Sequence, residues 1–347
     1  MEILQKIKDS KIKKDFLKLK TIDMHTGGEP LRVILDGYPK IEGKTILEKR
    51  NYVKNNLDYL RTTLMFEPRG HADMYGVLLV EPQNKDSDFG VIFMHNEGYS
   101  TMCGHATIAI TKLAVELGWV EVIKPITNIK IDAPCGQLDS YATVDENGNV
   151  TSVSFKCVPS FVVALEEEVY VEDIGIVKYD LSYGGAFYAY INADSLELSL
   201  NKENYDKIIS YGKKIKHAIV ESKDNIKHPF EEDLSFLYGT IFITNSDMFH
   251  SKNVCVFADG EVDRSPTGSG VSGRAAIHYK KDEISLGESI TIESILGSSF
   301  NVEVDSLIDY GSFEAVIPKV TGTAYITGEH TFYIDNEDVL KHGFFLR

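Results

Sequence analysis

The chain has 347 residues, 43% hydrophobic and 25% charged, enough for one large or two smaller globular domains with a substantial core. Its formal net charge of −16 argues against nucleic acid or an anionic membrane as partner, while leaving room for a small anion in a local pocket. No run of about 18 apolar residues occurs, so no transmembrane helix is expected, and the first 20 residues, with seven lysines, lack the apolar core of a secretory signal.

In chain order, residues 1–20 read as an accessory segment. Ile3, Leu4 and Ile7, then Phe16, Leu17 and Leu19, suggest a short amphipathic helix interrupted near Ser10. Residues 21–35 read as strand, Gly27-Gly28 turn, strand. The spacing of Ile46, Leu47, Tyr52, Val53, Leu57 and Leu60 predicts one helix over 44–64. A polar turn at 67–71 precedes strands at 74–80 and 89–95. A helix then opens after Cys103 and stops at Gly118. Strands follow at 128–131, 138–144 and 150–155, the last two joined through the hairpin signal Asn147-Gly148.

The second half begins with strands at 161–164, 174–179 and 187–191, then a helix over 204–219 and strands at 239–245 and 253–257. A polar loop at 259–266 feeds a helix with a glycine-rich start at Thr267, and strands at 289–294, 300–304, 313–320 and 323–327 close the chain. Landmarks recur at similar intervals: Gly27-Gly28, Cys103-Gly104 and Gly136 in one half, Gly184-Gly185, Thr267-Gly268 and Gly297 in the other. They suggest an α/β (α+β) fold of two pseudo-symmetric halves with an active site in the cleft between them. The expected divisions are 1–20, 21–175, 176–330 and 331–347, the last segment packing back on the first half.

Both glycine-rich helix starts can hold an anion, because each offers free N–H groups and a positive dipole end. Gly104 and His105 on one side, with Gly268 and Ser269 on the other, would let backbone amides approach a carboxylate. Cys103, at the N-cap, would then lie beside that carboxylate's Cα, its thiol pKa drawn somewhat below about 8.5. Base, nucleophile and ligand all remain open roles for it. A zinc site from His95, Cys103 and His105 lacks the usual paired spacing. A Cys103–His105 dyad is disfavoured, since positions i and i+2 of a helix point about 200° apart. Asp263 and Arg264 read equally well as a solvated turn. Cys135, Cys157 and Cys255 read as structural, and the absence of CxxC spacing among the four cysteines suits reduced thiols in a cytoplasm.

Five ordered motifs resemble the proline racemase family: Asp23-Met24-His25-Thr26-Gly27-Gly28-Glu29-Pro30, Pro68-Arg69-Gly70-His71, Met102-Cys103-Gly104-His105-Ala106-Thr107, the run from Asp259 to Gly270, and Gly322 to Gly328. The resemblance implies a fold like diaminopimelate epimerase, with no pyridoxal phosphate and no metal. It also implies racemases with two cysteines on opposite faces of the substrate Cα. Here Cys103 matches the first, but Thr267 stands at the second, and an alcohol is too weak an acid or base to exchange a Cα proton near neutral pH. The Cys/Thr pair resembles the family's trans-3-hydroxy-L-proline dehydratases. That implies Cα proton removal by Cys103, a substrate carboxylate on the amides of Gly104, His105, Gly268 and Ser269, the ring nitrogen on Asp263, and Thr267 on the far face. The implied partner is a small imino acid, with no cofactor, no nucleic acid and no membrane, and a homodimer is allowed. Two alternatives stand beside it: a 4-hydroxyproline 2-epimerase or proline racemase, and a non-catalytic amino-acid-binding protein.

Overall fold

Helix α1 (Glu2–Lys8) ends where the Ser10 hydroxyl donates to the Ile7 carbonyl at 2.7 Å. The computed structural model describes residues 2–12, 15–222 and 226–346. Strand β1 (Leu17–Thr26) then turns through Gly27 and Gly28, both at positive φ, into β2 (Glu29–Asp36). Leu17 and Leu19 thus belong to a strand, not to the helix their spacing suggested. Pairing with the C-terminal strand removes Leu19 entirely from solvent, a gain that a short surface helix could not match.

The single helix expected over 44–64 is two. Thr45 and Glu48 close a capping box on α2 (Ile46–Asn56), and α3 (Asp58–Met65) follows a break at Leu57, where φ is −129° and ψ 14°. The break follows two asparagines, which are weak helix formers, and lets Val53, Leu57, Leu60 and Leu64 share one core.

The first run continues through β3 (Tyr75–Val80), β4 (Phe89–His95), α4 (Gly104–Glu116), β5 (Ile126–Ala133), β6 (Gly136–Val144) and β7 (Val150–Lys156). The second comprises β8 (Phe161–Val171), β9 (Gly175–Tyr183), β10 (Phe187–Asn192), α5 (Tyr205–Ser222), β11 (Leu237–Thr244), β12 (Ser251–Phe257), β13 (Glu261–Val262), α6 (Gly268–Lys280), β14 (Ser289–Glu293), β15 (Ser299–Tyr310), β16 (Phe313–Gly322) and β17 (Ala324–Ile334). Pairing repeats between them. β1–β2 is antiparallel, β2–β3 parallel, β3–β4 antiparallel, β4–β5 parallel, and β5–β6–β7 antiparallel. The order β9, β10, β11, β12, β14, β15, β16 repeats each of these senses. The outer strand beside β1 is β17, and its counterpart beside β9 is β8; β7 and β16 join the two sets. The fold is therefore mixed α/β with two pseudo-symmetric halves.

Each half wraps its sheet around one buried helix. α4 packs on β1, β6, β7 and β17, and α6 on the equivalent β9, β15, β16 and β8. Both helices are buried nearly all round, which explains why neither shows a clean polar face in the sequence. The two Gly-Gly turns reach into the opposite half. Gly27's carbonyl accepts from Ser298 Oγ at 2.7 Å, and Gly185's from Thr101 Oγ1 at 2.8 Å. No described helix is long and apolar enough to cross a membrane.

Candidate active site

The N-termini of α4 and α6 meet head to head. A Cβ built on Gly104 would lie 2.4 Å from the Gly268 Cα, and one on Gly268 2.5 Å from the Gly104 Cα. Glycine is thus required here for the contact between the helices, a tighter demand than the approach to a ligand read from the sequence. The intrahelical ladder takes the Thr107 N–H to the Cys103 carbonyl, and the Ala106 N–H goes to Cys103 Sγ at 3.4 Å. Gly104 and His105 are left as the first amides of α4 available to a ligand. On α6 the first ladder bond runs from Val271 N–H to the Thr267 carbonyl, leaving Gly268, Ser269 and Gly270 ahead of it.

One cavity opens at this junction. Cys103, Gly104, His105, Asp263, Thr267, Gly268 and Ser269 all line it, together with Tyr75, Met102, Tyr188, Tyr238 and Phe257. Cys103 and Thr267 are 4% and 5% exposed. Thr267 holds φ at 68°, rare for a β-branched residue and a store of local strain, and its buried hydroxyl has no hydrogen-bond partner in regular geometry.

His105 departs from expectation. Its Nδ1 lies 3.2 Å from Cys103 Sγ. The helical-wheel objection fails because Cys103 is not helical: as N-cap it has φ −146° and ψ 107°, which swings the sulfur over the first turn. Burial pushes His105 down to about 3, so the ring is neutral and can offer a single N–H. The set His95, Cys103 and His105 does not converge on one point. His95 turns instead to Glu261, with Nδ1 3.1 Å from Oε2, and among the described residues no metal-binding group of His, Cys, Asp and Glu is present.

The thiol also departs from expectation. Burial pushes Cys103 well above the usual thiol range, and the carboxylates of Asp263 and Glu29 push the same way, while the Ala106 N–H and the Tyr75 hydroxyl oppose them. A helix end by itself lowers a thiol pKa, and desolvation outweighs it here. Asp263 is no solvated turn residue: it is 5% exposed, and burial raises it to about 6 against the hydrogen bonds of Ser265. Its Oδ1 accepts from the Ser265 N–H at 2.7 Å, and Ser265 Oγ accepts from the Thr267 N–H at 3.1 Å, so one turn fixes both site residues.

Three further features escaped the sequence reading. Glu29 accepts the Arg264 N–H at 2.7 Å and Asp73 takes the Arg264 guanidinium at 2.8 Å, tying the Asp263 loop to the opposite half. Glu29 stood in a quoted motif, and its complete burial is the signal that only the structure supplies. Tyr75 hydrogen-bonds Ser100 through its hydroxyl and meets the His105 ring edge-on, at 4.8 Å between centroids. Tyr238 stacks on Phe257 at 5.5 Å. The remaining cysteines, Cys135, Cys157 and Cys255, lie outside the cavity lining, and all four are free thiols.

Paired helix ends, a buried thiol on one side and a carboxylate beside it share this one cavity. The family model described as Proline racemase matches residues 21–345, and the chain belongs to the proline racemase family. A protein of Colwellia psychrerythraea named trans-3-hydroxy-L-proline dehydratase is 55% identical over 335 residues, 96% of this chain and 94% of the relative. One of Bacillus thuringiensis with the same name is 45% identical over 328 residues, 94% and 97% of the two chains. Among solved structures, a hydroxyproline epimerase from Agrobacterium vitis with bound trans-4-OH-L-proline superposes with a TM-score of 0.89 at 28% identity, covering 95% and 96%. A phenazine biosynthesis protein of the PhzF family from Bacillus anthracis, 12% identical with a TM-score of 0.55 and covering 92% and 100%, shares the fold alone.

Proposed function

We propose that this chain dehydrates trans-3-hydroxy-L-proline to 1-pyrroline-2-carboxylate without a cofactor. The observation that carries the reading is Thr267 at the N-cap of α6, in the cavity that Cys103 enters from α4. Relatives 43–55% identical carry the dehydratase name.

The amides at the two helix ends hold the substrate carboxylate, and Asp263 pairs with the ring ammonium. Burial, aided by the nearby carboxylates, keeps the free thiol protonated, and that cation offsets the carboxylate part, so substrate binding favours the thiolate. Cys103 then removes the Cα proton, and the carboxylate takes up charge as an enediolate against fixed amides. In trans-3-hydroxy-L-proline the hydroxyl lies on the same face as the Cα hydrogen. Loss of water is therefore syn and requires no acid on the Thr267 face, where racemases need a second thiol. The enamine formed tautomerises to the cyclic imine. The free thiols suit a cytoplasmic setting. The reading is compatible with a homodimer.

Incubation with trans-3-hydroxy-L-proline, followed by an aminobenzaldehyde stain for the cyclic imine, tests the proposal. Epimerised proline or 4-hydroxyproline on chiral chromatography, with no imine, would replace it with the epimerase reading.

A further inference from the structure

On the Cys103 side the cavity wall carries two phenols that the mechanism above does not use. Tyr75 is 3% exposed, lines the cavity, and anchors its hydroxyl on Ser100. Its ring packs against His105, whose Nδ1 is in turn 3.2 Å from the Cys103 sulfur. The Tyr75 hydroxyl also acts on the thiol as a hydrogen-bond partner that favours its charged form. Tyr238 is 7% exposed, lines the same cavity, and its hydroxyl engages the Tyr75 hydroxyl. Two buried phenol hydroxyls in contact with each other on a cavity wall are a place for a ligand's polar group. The wall around Cys103 is thus built to receive an oxygen as well as a Cα hydrogen.

We propose that Tyr75 is a catalytic residue that protonates the departing 3-hydroxyl, with Tyr238 holding that oxygen in place. This rests on the dehydratase reading and deepens it. The Cys103 thiolate takes the Cα proton, and the electrons of the broken C–H bond form the Cα–C3 double bond. The C3–O bond breaks, its electron pair leaves with oxygen, and the phenol proton completes a water molecule. The Tyr75 phenolate recovers a proton from the Cys103 thiol, which restores both groups to their starting states. One thiol therefore need not reach both the Cα hydrogen and the leaving oxygen. Burial holds Tyr75 well above the usual phenol range, so it carries its proton across the working pH.

The test compares Tyr75→Phe with the unchanged enzyme on two substrates, trans-3-hydroxy-L-proline and trans-3-fluoro-L-proline. Fluoride leaves with far less help from an acid than hydroxide. Tyr75→Phe is expected to lower imine formation from the hydroxy substrate by roughly 10²-fold or more. Fluoride release should fall by less than about tenfold, and pyrrole-2-carboxylate should bind within about threefold of the unchanged enzyme. That last measurement shows an intact site. Equal losses on both substrates, a Tyr75→Phe enzyme still active on the hydroxy substrate, or no fluoride release by the unchanged enzyme would each overturn the proposal. If the unchanged enzyme yields no imine from trans-3-hydroxy-L-proline, the dehydratase reading falls and this one with it.

Discussion

Gly104 and Gly268 touch backbone to backbone, so the two central helices share one N-terminal junction and neither position has room for a β-carbon. Gly104→Ala or Gly268→Ala must push the helices apart. Each should lower stability by about 1–3 kcal/mol through overpacking and lower kcat/KM by roughly 10²-fold by displacing the amides. Thermal unfolding beside steady-state kinetics checks this, and wild-type values for both would refute the contact.

Cys103 and Thr267 line the same cavity from opposite helix starts. Cys103→Ser should lose dehydration by about 10³-fold or more, since an alcohol is a far weaker base than a thiolate. Thr267→Cys should raise Cα proton exchange or epimerisation of hydroxyprolines, followed by deuterium incorporation from D2O. No gain in exchange would count against the missing second thiol as the reason for a one-sided reaction.

Asp263 joins function to a stability cost. Its folded pKa, about 6, lies above the ordinary 3.8, so between those values the folded state holds a proton that the unfolded state releases. Stability of the empty protein therefore falls as pH rises from about 4 to 6, by at most about 3 kcal/mol. Asp263→Asn should stabilise the empty protein at pH 7.5, lose that advantage near pH 4, and bind L-proline poorly. A mutant no more stable than its parent at pH 7.5 would show that the charged carboxylate carries no such penalty.

His105 offers its neutral ring to the sulfur, at 3.2 Å. Replacing it by Phe keeps the bulk and removes the nitrogen. The ring's one N–H faces the Pro30 carbonyl, so the nitrogen toward the sulfur accepts from the thiol, and the rising limb of the pH profile for iodoacetate labelling of Cys103 should move down by roughly one unit. An unmoved limb would mean that the ring only packs.

Local chemistry, legible in residue order, accounts for one part of the fold. Gly27, Gly28 and Gly185 mark turns because their φ values are closed to most residues, and the cap at Cys103 follows from a polar side chain ahead of a small-residue run. Motif order named seven candidate site residues, and the structure brings them to one cavity. Tertiary structure decided what depends on neighbours distant in the chain. Leu19 became strand because β17 pairs with β1, and the outer strands β8 and β17 took their places beside β9 and β1 through long-range pairing that no window of sequence contains. It also decided the electrostatics. The raised thiol and the raised Asp263 come from burial against opposing elements, and the Glu29–Arg264 bond spans 235 residues. Desolvation is a property of the assembled surroundings, so residue order could name the thiol but not the charge it carries in the empty site.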